Sequence, residues 1–195
     1  MKDINWAYTP HRSEEGFKSY LRTVAARISE PPEPEVIDLG LFELNRSETI
    51  AAKLAAITDS KAVGYRTNWA TDKKFPDTRT GKVRVRASAV CFRRPIMSQK
   101  GKDNVEAWCL KNKKILALPK DGIDIAKVSA RPKLDNVMPL VMAGQFFVDA
   151  NGDRSALYFN LNGNLRGLDV VCLSPGEQWY DFWWFLVLEE LPLAT

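Results

Sequence analysis

The sequence predicts an α+β fold with N-terminal helices, a mainly antiparallel β-sheet with hairpins, and a closing C-terminal helix. Three observations lead to this prediction. Apolar residues recur at helical spacing over residues 13–29 and 46–58, whereas residues 82–92 alternate between apolar and polar side chains. Two Asn-Gly pairs, at residues 151–152 and 162–163, are typical of tight turns between neighbouring strands.

A proline-rich segment divides the chain near its N-terminus. The helix over residues 13–29 ends at the segment 29–35, because proline has no backbone N–H and cannot continue a helix. Its prolines also make this segment stiff and extended. The sequence therefore predicts an N-terminal helix with a linker, residues 1–35, followed by a single α+β domain, residues 36–195.

Within the domain, a second helix is expected over residues 46–58, where Asn45 and Glu48 have the spacing of a capping box. Residues 114–119 form a short apolar run of the kind found in strands. Residues 144–164 predict two further strands around the first Asn-Gly turn, and the second Asn-Gly pair leads into a third. These strands are expected to pair antiparallel, because only antiparallel neighbours are joined by such short turns.

The C-terminal segment carries both a start signal and a stop signal for a helix. Ser174 and Glu177 have capping-box spacing, and Pro175 occupies the first helical position, where proline is well tolerated. Pro192 ends the segment. The sequence therefore predicts a helix over residues 175–191.

This predicted C-terminal helix is apolar on every side around its centre. Such a helix is normally buried by structure on both sides. In the alternative, one side with Trp183 or Trp184 covers a partner or a second copy of the chain, which predicts a homo-oligomer. A membrane span is not expected, because the unbroken apolar run extends only over Phe182–Leu188.

The charge distribution is the strongest signal that spans the whole chain. Residues 61–120 carry 16 Lys and Arg against 4 Asp and Glu, a net charge of +12. Residues 1–60 and 121–195 have net charges of −3 and −5, so they neutralise only part of this central basic block. A basic block of this size favours binding to a polyanion.

Nucleic acid is the polyanion that the pattern favours. Lys82, Arg84 and Arg86 share one face of the predicted strand, about 7 Å apart, which is near the spacing of phosphates along a stretched single strand. Flanking loops add cations and an aromatic ring for base stacking. We predict that the chain holds DNA or RNA, single strands included, through its phosphates and without catalysis. The predicted contact residues are Lys73, Lys74, Arg79, Lys82, Arg84, Arg86, Arg93, Arg94 and Trp69.

Three other interpretations remain open. Charged strand faces are commonly solvated or pair with acidic residues of neighbouring strands, and Trp69 has the character of a core residue. In another interpretation, the basic block meets an acidic partner protein, as in an inhibitor, immunity or assembly factor. A metal-dependent nuclease would rest on Asp77 alone, without the second carboxylate and lysine that such a site needs.

No motif for catalysis, a metal or a cofactor stands out. His11 is the only histidine and precedes the predicted domain, so a Ser-His-Asp triad is not expected. Residues 149–153 resemble the start of a calcium loop, but Arg154 stands where an EF-hand needs glycine. No apolar core of a signal peptide is seen at the N-terminus. Widely spaced cysteines among apolar neighbours favour reduced thiols in the cytoplasm: Cys91, Cys109 and Cys172.

Overall fold

The computed structural model describes residues 33–58, 63–93, 96–127, 132–150, 152–163, 165–173 and 178–192. From Pro34 onwards these residues belong to one structural unit. The predicted N-terminal helix over residues 13–29 lies outside the described residues, so that prediction is untested. Within the described ranges, no helix combines the length and the apolar character needed to cross a membrane.

Strands predominate over helices in the described part of the chain. The strands are β1 (Glu35–Asn45), β2 (Tyr65–Arg66), β3 (Lys82–Cys91), β4 (Ile96–Met97), β5 (Ile115–Leu116), β6 (Leu140–Val148), β7 (Arg154–Asn162), β8 (Leu165–Leu173), β9 (Gln178–Trp179) and β10 (Trp184–Leu191). The helices are α1 (Ile50–Ala55), α2 (Ser98–Lys111), α3 (Pro119–Ala126) and α4 (Pro132–Asp135).

Among the described strands, eight form one mixed sheet in the order β1, β3, β10, β6, β7, β8, β2, with β5 also paired to β10. Neighbours run antiparallel, except for the β10–β6 and β8–β2 pairs, which are parallel. Along one edge, strand β10 pairs with two different strands in succession. Phe185 pairs with β6, and Val187 pairs with β5. Strands β4 and β9 form a separate two-stranded sheet.

The sheet buries side chains on both of its faces. The larger core lies against helices α1 and α3, and Val85 and Ala87 of β3 point into it. The smaller core lies on the opposite face, where α2 contributes Val105 and Cys109 and β3 contributes Val90. We call these two sides the α1–α3 face and the α2 face. Because side chains alternate along a strand, the charged residues of β3 lie on the α2 face.

The prediction of a closing C-terminal helix over residues 175–191 is wrong. Trp184–Leu191 instead forms β10, a central strand between β3 and β6. Its alternate side chains enter both cores, Trp184 the larger and Phe185 the smaller. A strand that is buried on both faces has a continuous apolar run, which its sequence shares with a helix that is apolar on every side. The expected start of that helix lies outside the described residues.

The predicted arrangement of a sheet with N-terminal helices and a closing helix is therefore wrong, although helices and strands are both present. Helix α1 spans only Ile50–Ala55 instead of residues 46–58. Its N-cap is Thr49, whose Oγ1 accepts a hydrogen bond from the N–H of Ala52 at 3.1 Å. Asn45 ends strand β1 and does not cap the helix. The mixed sheet, and not a layer of helices, dominates the fold.

Local patterns with a strong physical cause are confirmed. The strand predicted at residues 82–92 is present as β3, and turns at Gly152 and Gly163 join β6 to β7 and β7 to β8. Both glycines have a positive φ, 85° and 60°, which tight turns require and glycine adopts at little cost. Helices α2, α3 and α4 are absent from the sequence prediction. All eight residues of α3 are buried, and its charged side chains pair inside the protein: Lys120 with Asp72, Asp121 with Arg79 and Asp124 with Lys53.

The three cysteines differ in burial. Cys91 and Cys109 are buried, Cys172 is exposed, and none of the three forms a disulfide. Burial raises the pKa of the Cys91 and Cys109 thiols to about 11. These two thiols are therefore protonated at neutral pH, where only the thiolate is a strong nucleophile.

Candidate nucleic-acid interface

Strand β3 presents a row of three cationic side chains, Lys82, Arg84 and Arg86, which we call the β3 cationic row. They occupy alternate positions on the α2 face, away from Val85 and Ala87 in the larger core. Lys82 and Arg86 are exposed, and Arg84 is half-buried. In the described part of the chain, none of the three side chains makes an ion pair or a hydrogen bond. The row is thus available to an anion from solvent.

Two glutamates flank the β3 cationic row on the same face. Glu43 of β1 lies directly opposite Arg84, and Glu189 of β10 lies directly opposite Arg86. Glu189 also accepts a hydrogen bond from Nζ of Lys114 at 3.2 Å. Side chains that face each other across antiparallel strands are close enough to interact. The glutamates therefore lower the positive potential of the row without forming ion pairs with it.

Arg79, another predicted contact residue, forms ion pairs within the protein. Its Nη2 lies 2.9 Å from Oδ2 of Asp77 and 2.8 Å from Oδ2 of Asp121 in helix α3. Burial alone would lower the pKa of Arg79, but the hydrogen bonds and charges of these two carboxylates raise it above the usual value. Arg79 is therefore always charged, and its charge is neutralised on the α1–α3 face.

Two of the predicted contact residues in the loop before β3, Lys74 and Trp69, contact each other. Nζ of Lys74 lies 3.4 Å from the centre of the Trp69 ring and 4.1 Å from the centre of the Phe147 ring. The Trp69 and Phe147 rings meet edge to face, with centroids 5.6 Å apart. Lys73 is exposed. Trp69 and Lys74 thus form an internal cation–π contact, which occupies the ring that base stacking would need.

Arg93 also has an internal partner. Its guanidinium forms an ion pair with Glu35 at 2.6 Å and lies 4.9 Å from the centre of the Trp184 ring. The hydrogen bond to Glu35 raises the pKa of Arg93. Arg94 lies outside the described residues. The predicted contact residues are therefore divided between two faces of the sheet, and Lys82, Arg84 and Arg86 are the ones that the fold brings together.

The two tryptophans predicted at a partner interface have different surroundings. Trp184 is 3 % exposed and belongs to the larger core. Trp183 is half-buried, and its ring centre lies 5.3 Å from that of Tyr158 and 5.1 Å from that of Trp179. In this fold Trp183, and not Trp184, has surface that a partner can reach.

Sequence reasoning missed the acidic neighbours of the β3 cationic row and a group of buried charges. Asp121 is fully buried and joins Arg46 to Arg79. Lys53 of helix α1 is also fully buried and forms an ion pair with Asp124, which lies in helix α3 with Asp121. The sequence shows that Glu43 alternates with apolar residues in β1. It does not show that Glu43 lies opposite β3, because that depends on the pairing of strands that are distant in the chain. The buried pairs leave no sequence signal, because each joins residues far apart in the chain.

Asp77, the basis of the nuclease interpretation, is held by Arg79. Burial would raise the pKa of Asp77, but hydrogen bonds from the Arg79 side chain and backbone lower it below the usual 3.8. Within the described residues, no group of three or more His, Cys, Asp or Glu is arranged to hold a metal ion. Asp77 is therefore accounted for by a structural ion pair.

The lowered pKa of Asp77 predicts a pH-dependent contribution to stability. A carboxyl group whose folded-state pKa is depressed stabilises the fold above its unfolded-state pKa, near 3.8, and loses that contribution as pH falls towards the folded-state value. Between pH 6 and pH 3, we expect the free energy of unfolding to fall more in the wild-type protein than in Asp77→Asn. The difference between the two falls is the contribution of one titrating aspartate. Urea unfolding at both pH values measures this difference. Equal losses in both proteins would contradict it.

Comparisons with models of protein families, with curated proteins and with solved structures gave no match to this chain.

Proposed function

We propose that this chain is a binding protein that holds single-stranded DNA or RNA through its phosphates, with Lys82, Arg84 and Arg86 as the contact residues. The observation that carries the proposal is that all three cations lie on one strand face and lack an internal ion-pair partner among the described residues. Their spacing of about 7 Å suits successive phosphates of an extended strand. Phosphate contacts of this kind give affinity without reading sequence.

The flanking acidic residues set the expected strength of binding. Glu43 and Glu189 lie beside two of the three cations and repel phosphates. We therefore expect weak binding that is strongest at low salt. Three neutralised phosphates on a single strand predict a slope of log affinity against log salt concentration of about −2.

Charge reversal of the row tests this proposal. The probes are fluorescent oligo(dT) and oligo(U), titrated with the full chain at several salt concentrations. We expect Arg84→Glu combined with Arg86→Glu to lower the affinity at least about tenfold, since two attractive charges become repulsive. Urea unfolding and circular dichroism check that the variant is folded.

A matched control distinguishes the effect of the β3 cationic row on binding from the effect of the net charge. Lys73→Glu and Arg86→Glu change the net charge equally, and both wild-type residues are exposed. Lys73 lies in the loop between β2 and β3, outside the row. We expect Arg86→Glu to weaken binding more than Lys73→Glu does. No binding by wild-type protein at low salt, or equal effects of the two substitutions, would refute the proposed interface.

A protein partner is the second candidate function, and one observation favours it. Opposite charges alternate across the α2 face, with Glu43 opposite Arg84 and Glu189 opposite Arg86, and Leu41 beside them is 40 % exposed. Mixed charges around apolar side chains are typical of protein interfaces, where complementary charges select the partner. In that case both the arginines and the glutamates would contribute to affinity.

A further inference from the structure

Two adjoining cavities lie at the end of strand β7. In the sheet, strands β10 and β6 separate β7 from the strand that carries the β3 cationic row. One has a volume of about 340 Å³ and is bordered by Tyr158, Trp183 and Pro139. The other has a volume of about 350 Å³ and is bordered by Tyr65, Asn162 and Asp169. Asn160 borders both cavities. Each lies at the lower end of the roughly 300–1,000 Å³ range of ligand sites.

Strand pairing places Asn160 between the cavities. Strand β6 pairs with β7 only as far as Phe159, so Asn160 extends past the first residue of β6. On its other side, Asn160 pairs with Gly167 of β8, and Gly167 pairs with Tyr65 of β2. A Cβ atom at residue 167 would lie 2.3 Å from Oδ1 of Asn160. Glycine at this position therefore lets the Asn160 carboxamide lie across β8.

The polar groups at these cavities suit a neutral ligand with many hydroxyl groups. Two carboxamides and the Asp169 carboxylate offer both donors and acceptors. Oδ1 of Asp169 accepts a hydrogen bond from the N–H of Val170 at 2.8 Å, which fixes the orientation of the carboxylate. Among the described residues that border these cavities, the one cation is Arg166, which is 2 % exposed and forms an ion pair with Asp135 at 2.6 Å. An anionic ligand would therefore meet a carboxylate without an exposed cation to compensate.

Aromatic rings border each cavity. Tyr65 is 59 % exposed beside the second cavity, and the half-buried Tyr158 and Trp183 border the first. Aromatic rings provide rigid apolar contact area, which suits the C–H faces of sugar rings. Together with the amides and the carboxylate, they combine the apolar lining and the few polar groups of a small-molecule site.

We propose that this region binds a neutral carbohydrate of at least two sugar units, one in each cavity, across Asn160. One sugar ring packs against Tyr65 and donates hydroxyl hydrogen bonds to Asp169. The next ring packs against Trp183 and Tyr158. Asn160 contacts both units from its position between the cavities.

Binding to a panel of immobilised neutral and acidic glycans tests this proposal with the full chain. The strongest neutral hit, and maltose, cellobiose and diacetylchitobiose as standards, are then titrated while the tryptophan fluorescence is recorded. We expect binding of a neutral glycan and an emission change, because Trp183 borders one cavity. Binding of acidic glycans alone, or of none, would overturn the proposal.

Variants locate the bound glycan. We expect Tyr65→Ala and Asp169→Asn each to weaken glycan binding at least tenfold. Tyr180→Ala is the control, because Tyr180 is similarly exposed, 54 %, and borders neither cavity. Unchanged affinity in both site variants would overturn the proposal. Arg84→Glu with Arg86→Glu is expected to leave glycan binding intact, so the carbohydrate site and the proposed nucleic-acid interface can fail independently.

Discussion

Replacing Asp121 by alanine is expected to lower the free energy of unfolding by about 3 to 5 kcal/mol, the usual cost of breaking a buried ion pair. Asp121 is fully buried. Its Oδ1 accepts from Nε of Arg46 at 3.1 Å, and its Oδ2 accepts from Nη2 of Arg79 at 2.8 Å. Oδ2 also accepts from the N–H of Leu118 at 3.2 Å, just before helix α3. One carboxylate therefore fixes α3 to two arginines from distant parts of the chain.

The cost arises mainly from the arginines that remain. Arg46 is 7 % exposed, and its Nη2 has no hydrogen-bond partner among the residues that the structure describes. Without Asp121 its remaining ion-pair partner is Glu190, at 2.6 Å from Nη1. The buried guanidinium then keeps one of its two carboxylate partners, which does not make up for the hydration that it loses on folding.

Urea unfolding of Asp121→Ala beside Glu35→Ala tests this expectation. Glu35 also pairs with an arginine, Arg93, but both side chains are about half exposed, 44 % and 53 %. Exposed ion pairs contribute only about 0 to 1 kcal/mol. Equal small losses in the two variants would show that the Asp121 pairs do not stabilise the fold.

Replacing Trp184 by alanine is the second large effect, with an expected loss of about 3 to 5 kcal/mol, as for other buried Trp→Ala changes. Trp184 is the first residue of β10, where it pairs with Leu140 of β6. Its side chain is 3 % exposed in the larger core, and the Arg93 guanidinium lies over its ring. The truncation leaves a cavity that neighbouring side chains fill only in part.

Trp183 provides the comparison within the same segment. It is half-buried on the opposite side of the sheet, beside Tyr158. We expect Trp183→Ala to lower the unfolding free energy clearly less than Trp184→Ala. If Trp184→Ala does not fold, Trp184→Phe gives a milder loss that is still measurable. A Trp184 variant as stable as the wild type would contradict the placement of β10 at the centre of the sheet.

The sequence predicted those elements whose signal is local. Strand β3 was found because its first half has one buried and one charged face, so that Lys82 and Arg84 alternate with Val83 and Val85. The turns at Gly152 and Gly163 were found because Asn-Gly pairs favour tight turns, in which the glycine adopts a positive φ. Strand β10 was missed because both its faces are buried, and period-two alternation then disappears.

The candidate site was predicted only in part, for a related reason. A sequence shows where charges are concentrated, but not which distant residues neutralise them. The partner of Arg79 in helix α3, Asp121, lies 42 residues away, and the partner of Arg93, Glu35, lies 58 residues away. The basic block therefore appeared continuous in sequence, whereas the fold leaves Lys82, Arg84 and Arg86 together on one face.

Replacing Glu43 by glutamine tests the proposed function most directly, because the two candidate partners predict opposite signs. Glu43 is exposed opposite Arg84. Removing a repulsive charge at about 4 Å is worth about 1 kcal/mol in water, so oligo(dT) should bind up to about fivefold more tightly. Asp153→Asn, with the same charge change in the β6–β7 turn, is the control and should have little effect. Weaker or unchanged oligonucleotide binding by Glu43→Gln would contradict the proposal that the β3 cationic row holds phosphates.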